Sequence, residues 1–234
     1  MLIDPDGREP ILPFVGTLKG FMKFFYSLGS GIASTTGTNA HNAMLRMGQM
    51  TWTWGGPKPT NTAPFNESNG NRYIYTEKGG WIDMSHFMFY AGRAYKAKMD
   101  QQEAKDIMSQ TYFAFMDNSA QLAIIKIAGQ DPVGEAMQQG YAQEYMDKYG
   151  PTYSAYSYED LPSDYFGADF AVNYFNPNSK LSFGQQLQNY FTNVLKATEP
   201  TNAPNYYSLP SEYPTKGESP STTNHTSTPM FITD

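Results

Sequence analysis

The chain of 234 residues has no cysteine, only three histidines and no apolar run of the roughly 20 residues that a membrane-spanning helix needs. The absence of cysteine excludes a disulfide scaffold, a cysteine-ligated zinc site and a cysteine nucleophile. The first residues lack a basic segment followed by an apolar one, so we expect no secretory signal peptide in this chain. These absences favour a soluble chain of one domain, alone or with appendages.

Charged side chains are also scarce. They make up 16% of the residues, against about 25% in an ordinary domain, and 22 acidic residues exceed 16 basic ones. Polarity comes mainly from uncharged side chains, including those of 18 tyrosines. The net charge of −6 leaves no broad basic surface, so we expect no extended nucleic acid duplex as a partner.

Apolar side chains at intervals of three and four residues predict a mainly α chain. Helices are predicted over residues 14–33, 40–50, 83–98, 101–128 with a break near Asp117, 132–149, after Ser157 or Ser163, and from Ser182 onward. A β-like run covers residues 72–76, whereas residues 55–70 contain three prolines and no period, which predicts an exposed loop. The predicted fold is a single helical domain with a small β element.

Two flanking segments differ from this helical part. Residues 1–13 contain three prolines and the turn sequence Pro5-Asp6-Gly7. The chain beyond residue 198 holds six of the 16 prolines, is rich in Ser and Thr, and shows no apolar period. We therefore expect a junction at 1–13, a helical domain at 14–198 and an irregular, disordered or surface-bound tail at 199–234.

His86 is the strongest candidate for chemistry. Asp83 lies three residues before it at a predicted helix start, about 60° away around the axis, so the two side chains can meet. A carboxylate bonded to imidazole suits a general base or a metal ligand, and the positive end of the helix favours the uncharged ring. In the alternative interpretation, Asp83 only caps the helix and His86 packs as a half-buried polar residue. His41 and His225 have no companion at ligand spacing.

Glu159, Asp160 and Asp164 form a second concentration, with no lysine or arginine among them. Crowded carboxylates repel each other, so the group is either exposed or occupied by a cation. In one interpretation Ser157 and Ser163 cap helices, and Asp160 and Asp164 only favour the first turns of those helices. In the other, Glu159 or Asp160 meets His86 across an open cleft to bind a divalent metal or activate water. If the chain is a binding module, these acids are solvated surface. The candidate catalytic residues are His86, Asp83, Glu159 and Asp160; the candidate metal ligands are His86, Glu159 and Asp164; the candidate substrate contacts are Trp81, Tyr90 and Arg93.

The segment from Phe14 to Ala33 is amphipathic, with Lys19 and Lys23 on one face. It packs either on the core or on a membrane or partner protein. Two lysines make a thin cationic face, so we expect the core.

The opening Ile3-Asp4-Pro5-Asp6-Gly7-Arg8 resembles the motif that closes the RHS-repeat-associated core of bacterial polymorphic toxins. The resemblance implies that the chain is the C-terminal toxic domain of a larger secreted protein, delivered into a competitor cell and neutralised in the producer by an immunity protein. It also implies a role for Asp4 and Asp6 in self-cleavage. The segments Gly80-Trp-Ile-Asp-Met-Ser-His-Phe87 and Ser157-Tyr-Glu-Asp-Leu-Pro-Ser-Asp-Tyr-Phe-Gly167 are similar to bacterial domains of unknown function.

The leading hypothesis is an effector hydrolase that uses His86 and carboxylates, with or without a divalent metal. The acidic balance favours a nuclease for a small RNA element, or a peptidase or amidase, over a nuclease for long duplexes. The alternatives are a non-enzymatic membrane- or protein-binding module and a structural domain associated with secretion.

Overall fold

A computed structural model describes residues 15–49, 52–53, 56–57, 64–65, 72–147 and 159–203. The predicted junction at 1–13, most of the predicted loop at 55–70 and the tail from residue 204 onward lie outside these residues. In the described part, the prediction of a mainly α fold with a small sheet is confirmed.

Seven α-helices form the described fold: α1 (Leu18–Ser27), α2 (Gly37–Met47), α3 (Met84–Met108), α4 (Asn118–Ala128), α5 (Pro132–Asp147), α6 (Asp160–Asp169) and α7 (Phe183–Asn189). Helices α6 and α7 each continue into one π-helical turn, Phe170–Tyr174 and Tyr190–Val194. Short 3₁₀ turns occur at Ile32–Ser34, Thr111–Phe115 and Pro200–Asn202.

The strands are β1 (Val15–Gly16), β2 (Trp52–Thr53), β3 (Gly56–Pro57), β4 (Tyr73–Thr76) and β5 (Gly80–Asp83). The three-stranded sheet has the order β1-β4-β5, with β1 parallel and β5 antiparallel to β4. Strands β2 and β3 form a separate antiparallel pair. The sequence predicted β4 but not β5, because its four residues Gly80–Asp83 are all buried and show no alternation.

Helix α1 is shorter than predicted. Thr17 caps its first turn, the backbone becomes extended at Leu28, and Gly31 has a φ of 63°. Its apolar side chains Phe21, Met22 and Phe25 are buried in the core, as expected for a docked helix. Among the described residues, no helix is long and apolar enough to span a membrane.

Helix α3 is the centre of the domain, and α2, α4, α5 and α6 all contact it. It runs without interruption through residues 99–100, where a gap was predicted, and continues to Met108. The predicted break near Asp117 is confirmed, because α4 begins after Asp117, which caps it. Residues 84–92 of α3 are buried on every side. A helix that is buried all around has no polar face, so any polar side chain there must find partners inside the protein.

Gly167 lets α6 approach α3 closely. A Cβ atom at this position would overlap the carbonyl oxygen of Phe87 and lie 2.8 Å from its carbonyl carbon. The close approach brings Ser163 and Asp164, one turn earlier on α6, against the first turn of α3.

We expect Gly167→Ala to lower the free energy of unfolding by about 2–3 kcal/mol, because α6 must move away from α3 to admit the methyl group. Urea unfolding followed by tryptophan fluorescence measures the change. Gly29→Ala is the matched control, since a Cβ atom at Gly29 meets nothing within 4 Å. Equal stabilities of the two variants would mean that the contact is not tight.

Candidate functional site

The junction of β5 and α3 holds Asp83 in a fixed position. Its Oδ1 accepts a hydrogen bond of 2.7 Å from the amide of Ser85, which caps α3 as predicted. Its Oδ2 accepts two hydrogen bonds from Arg72, at 3.1 Å from Nε and 2.7 Å from Nη2. Burial acts to raise the pKa of Asp83, but Arg72 and His86 outweigh it, so the pKa lies below its ordinary value. Asp83 is therefore an ionised carboxylate whose two oxygens are both engaged.

The carboxylate that orients His86 is Asp164 and not Asp83, which corrects the sequence-based assignment. Nδ1 of His86 lies 2.9 Å from Oδ1 of Asp164, and Nε2 lies 3.4 Å from Oδ1 of Asp160. Both acids come from α6, one turn apart, and so the imidazole bridges them. Of the three downstream acids predicted to meet His86, these two contact it directly.

Ser163 ties α6 to the strand that carries Asp83. Its hydroxyl accepts a hydrogen bond of 2.9 Å from the amide of Asp83 and donates one of 2.6 Å to the carbonyl of Glu159. The sequence suggested Ser163 as a helix cap, but it lies inside α6, which begins at Asp160. Its hydroxyl instead fixes the registry of α6 on the end of β5.

The site is enclosed, whereas the sequence suggested an open cleft. His86 is 3% exposed, Asp160 6% and Asp164 0%. Helix α5 covers Asp164, since a Cβ atom at Gly140 would meet Oδ2 of Asp164 at 2.5 Å. That oxygen is buried and makes no hydrogen bond to any described residue. The interpretation of these acids as solvated surface is therefore wrong, whereas the prediction that Asp160 lies in the first turn of its helix is confirmed.

Five carboxyl groups are buried in this region: Asp83, Glu144, Glu159, Asp160 and Asp164, here called the acid cluster. The buried basic side chains are Arg72 and His86. The members of the cluster influence one another electrostatically, since Asp160 feels His86, Glu159, Glu144 and Asp83. An excess of buried acid is unfavourable unless protons or a cation neutralise it.

The pKa values show how the cluster accommodates this excess. Burial, reinforced by Glu159 and Glu144, raises the pKa of Asp160 well above its ordinary value although His86 opposes the shift. Burial also raises the pKa of Asp164 to about 6. For His86, burial acts to lower the pKa, but Asp160 and Asp164 together raise it well above its ordinary value. The two acids thus favour the charged form of the ring, whereas the helix end favours the uncharged form.

The candidate substrate contacts have different surroundings. Tyr90 is buried one turn after His86, with the two ring centroids 6.2 Å apart, and burial raises the pKa of its hydroxyl well above the ordinary value. Arg93 is half-buried, with its Cζ 5.0 Å from the centroid of the Phe89 ring. Trp81 packs against Tyr75 in a separate apolar cluster. Of the three, the structure places Tyr90 beside the histidine.

Asp83, His86 and Asp160 could hold a metal ion, because each offers a ligand atom within 4.8 Å of the other two. The three are not equivalent ligands. Arg72 and the Ser85 amide occupy the oxygens of Asp83, whereas Nε2 of His86 and the carboxylate of Asp160 face each other. A cation would bind most readily between the latter two.

Sequence reasoning missed Arg72 and Glu144. Arg72 is next to Tyr73, which pairs with Asp83 across β4 and β5, and only the strand pairing reveals the contact. Glu144 is a buried acid on α5. The only hint of its burial in the sequence is that it lies among small and apolar residues of that helix. Neither a family model, nor a curated protein, nor a solved structure matches this chain.

Proposed function

We propose that the protein is a hydrolase in which Nε2 of His86 and the carboxylate of Asp160 bind a divalent cation. The observation that carries the proposal is the bridged imidazole, with Asp164 at 2.9 Å from Nδ1 and Asp160 at 3.4 Å from Nε2. A histidine that ligates a metal commonly donates its other N–H to a carboxylate, which fixes the ring and increases its basicity. Asp164 is the positioning residue in this arrangement.

The separation of the two ligand atoms supports the cation. A tetrahedral ion with bonds of about 2.1 Å to nitrogen and oxygen holds those atoms about 3.4 Å apart, close to the 3.4 Å between His86 and Asp160. The charge supports it as well, since a cation beside Asp160 would offset the repulsion between Asp160 and the acids that raise its pKa. Glu159 is near the site, because its charge raises the pKa of Asp160. Asp164 is bonded to Nδ1 of His86, on the other side of the ring from Nε2, so we do not expect it to be a ligand of the same ion.

The residues of the chain supply the remaining functions. Asp164 holds the ring orientation, and Tyr90 keeps its hydroxyl proton because its pKa is raised, so it is available as a hydrogen-bond donor. A bound divalent ion would lower the pKa of a water molecule and polarise a carbonyl or phosphoryl oxygen. The net charge of −6 favours a neutral polymer or a short RNA element as substrate.

The resemblance of residues 3–8 supplies the biological setting of the proposal. An RHS-type effector would reach its target cell as the C-terminus of a larger secreted protein, and the producer would need an immunity protein. Bacterial growth is therefore the first readout for activity, before the substrate is known.

We expect expression of the wild-type chain in bacteria to reduce viable counts by about 100-fold or more, and His86→Gln and Asp160→Asn to abolish the reduction. Each change removes one of the two proposed ligands and keeps a side chain of similar volume. Glu103→Gln is the control, because Glu103 is exposed on α3. Circular dichroism establishes that each variant is folded. Equal growth inhibition by wild type and His86→Gln would refute catalysis at this site.

A direct measurement uses the purified chain after dialysis against a chelator. Calorimetric titration with Zn²⁺ or Mn²⁺ should show one ion per chain for wild type and Glu103→Gln, and much weaker binding for His86→Gln and Asp160→Asn. Hydrolysis of transfer RNA or casein should then follow metal loading. Activity that survives chelation but is lost in His86→Gln would support a hydrolase at this site and refute the role of a metal.

A second candidate function is protein binding without catalysis. The observation that favours it is a set of exposed apolar side chains around α4, of which Phe115 is 84% and Leu122 58% exposed. Helix α1 is a weaker docking element, because it uses Phe21 and Phe25 in the core. Growth inhibition that survives His86→Gln but is lost in Phe115→Ser/Leu122→Ser would favour this candidate.

A further inference from the structure

A second cavity lies on the other side of α3. His86 and Tyr95 are nine residues apart on this helix, which places them about 180° apart around its axis. Tyr95 forms the floor of a cavity of about 590 Å³, together with the buried Phe175. Exposed residues, including Thr38 and Tyr174, form its rim, so a small molecule can enter from solvent. The volume lies within the range of about 300–1,000 Å³ that ligand sites occupy.

The lining of this cavity is basic in an otherwise acidic protein. It contains Lys98 and His41 and no aspartate or glutamate. Lys98 is half-buried and donates a hydrogen bond of 2.6 Å to the carbonyl of Val172, which holds its ammonium group at the wall. A cation that has lost part of its hydration and has no carboxylate beside it attracts an anion more strongly than an exposed lysine does.

His41 is held in a defined orientation. Its Nδ1 lies 2.9 Å from the hydroxyl of Tyr95, and the two rings meet edge to face with centroids 5.5 Å apart. Nε2 has no partner among the described residues, so it can donate a hydrogen bond to a ligand. The buried Tyr95 restricts the ring, which lowers the entropy lost on binding.

The remaining walls combine apolar and polar residues. Met99, Val172, Phe175 and Pro177 contribute hydrocarbon surface next to the two basic groups, and Asn173, Asn176 and Asn178 add polar residues. A few polar groups beside an apolar wall are typical of a site for a small organic ligand rather than for an inorganic ion alone.

We propose that this cavity binds a small organic oxyanion, a carboxylate or a phosphate ester on a flat apolar body. Lys98 and His41 bind the charged group, and Tyr95 and Phe175 contact the body. The site is separate from the His86 centre, because α3 lies between them. It does not depend on the proposed hydrolase.

The test is a titration of the ¹⁵N-labelled full chain by NMR with benzoate, phenyl phosphate and the neutral benzyl alcohol at constant ionic strength. We expect saturable shifts of the amides of Thr38 and Tyr95 with at least one anion, and at least about tenfold weaker binding of benzyl alcohol. Which of the two anions binds identifies the charged group. His86→Gln should bind the probe as wild type does.

Two variants decide whether the basic lining is responsible. Lys98→Met keeps an unbranched side chain and should weaken binding of the anion about tenfold or more, whereas Lys126→Met, at an exposed lysine on α4, should not. No saturable shift below about 10 mM anion would overturn the proposal. Equal binding of benzyl alcohol, or equal affinities of the two lysine variants, would overturn it as well.

Discussion

Replacing Arg72 by methionine should lower the free energy of unfolding by about 3–5 kcal/mol, because it leaves the buried carboxylate of Asp83 without its guanidinium. Arg72 is 6% exposed and Asp83 0%, and two hydrogen bonds join them. The carboxylate can then either stay ionised in a poorly solvated place or bind a proton at a cost. Methionine fills similar space, so the loss reports the missing charge rather than a cavity. Urea unfolding followed by tryptophan fluorescence measures it.

Lys96→Met is the matched control for this prediction. It removes a short ion pair too, since Nζ of Lys96 lies 2.6 Å from Asp100, but both side chains are about half exposed. Water screens that pair, so we expect a change of about 0–1 kcal/mol. Equal losses in the two variants would show that burial does not strengthen the Arg72–Asp83 pair. Arg72→Met/Asp83→Asn should recover part of the stability, because it removes the uncompensated charge.

Local signals in the sequence predicted the helix ends well. Asp83 caps α3, Pro132 begins α5, and Ser182 forms a capping box with Gln185. In each case the stabilising contact spans no more than three residues, so the pattern alone contains it. The predicted boundaries at residues 33 and 98 were wrong. Helix α1 ends at Ser27, before the extended Leu28 and the left-handed Gly31, and α3 continues to Met108.

The sequence indicated which residues come together around His86 but not which of them contact each other. The spacing of Asp83 and His86 suggested that they bind each other. Instead, the pairing of β4 and β5 places Asp83 against Arg72, and the close approach of α6 places Asp164 against His86. Both contacts connect residues far apart in the chain. Two side chains three residues apart on a helix can contact each other, but a residue distant in sequence that binds one of them more strongly can prevent that contact.

The charge of His86 also depends on contacts that the sequence alone does not show. A helix N-terminus disfavours imidazolium by about 0.3–1 kcal/mol at an exposed site. Two carboxylates at 2.9 and 3.4 Å in a buried place act more strongly in the opposite direction. The sequence shows the helix end, whereas only the fold shows the two acids.

The metal-free protein should accordingly become less stable as the pH rises from about 5 to 8. Asp164 keeps its proton up to a pKa of about 6 in the folded chain but loses it near 3.8 when unfolded, so stability falls as the pH rises through that window. His86 has a pKa raised above 6.5, so the stability from its protonated form is lost as the pH rises above 6.5. Asp83 acts oppositely, because its lowered pKa removes stability only below about 4.

The measurement is the free energy of unfolding in urea, with a chelator present, at several pH values between 5 and 8. Above pH 6.5 the raised pKa values of His86 and Asp160 let the native chain bind more protons than the unfolded chain, so we expect the stability to decline with rising pH, by up to about 1.4 kcal/mol per pH unit for each extra proton. In Asp160→Asn/Asp164→Asn the imidazole loses both adjacent anions, and burial then keeps it neutral, so the decline above pH 6.5 should disappear. A wild-type stability that is constant or rises between pH 6.5 and 8 would mean that His86 carries no proton in the folded protein. The two acids of α6 would then be ionised as well, because a proton retained on either would also make the stability fall, and a cation could bind without first displacing a proton from Nε2.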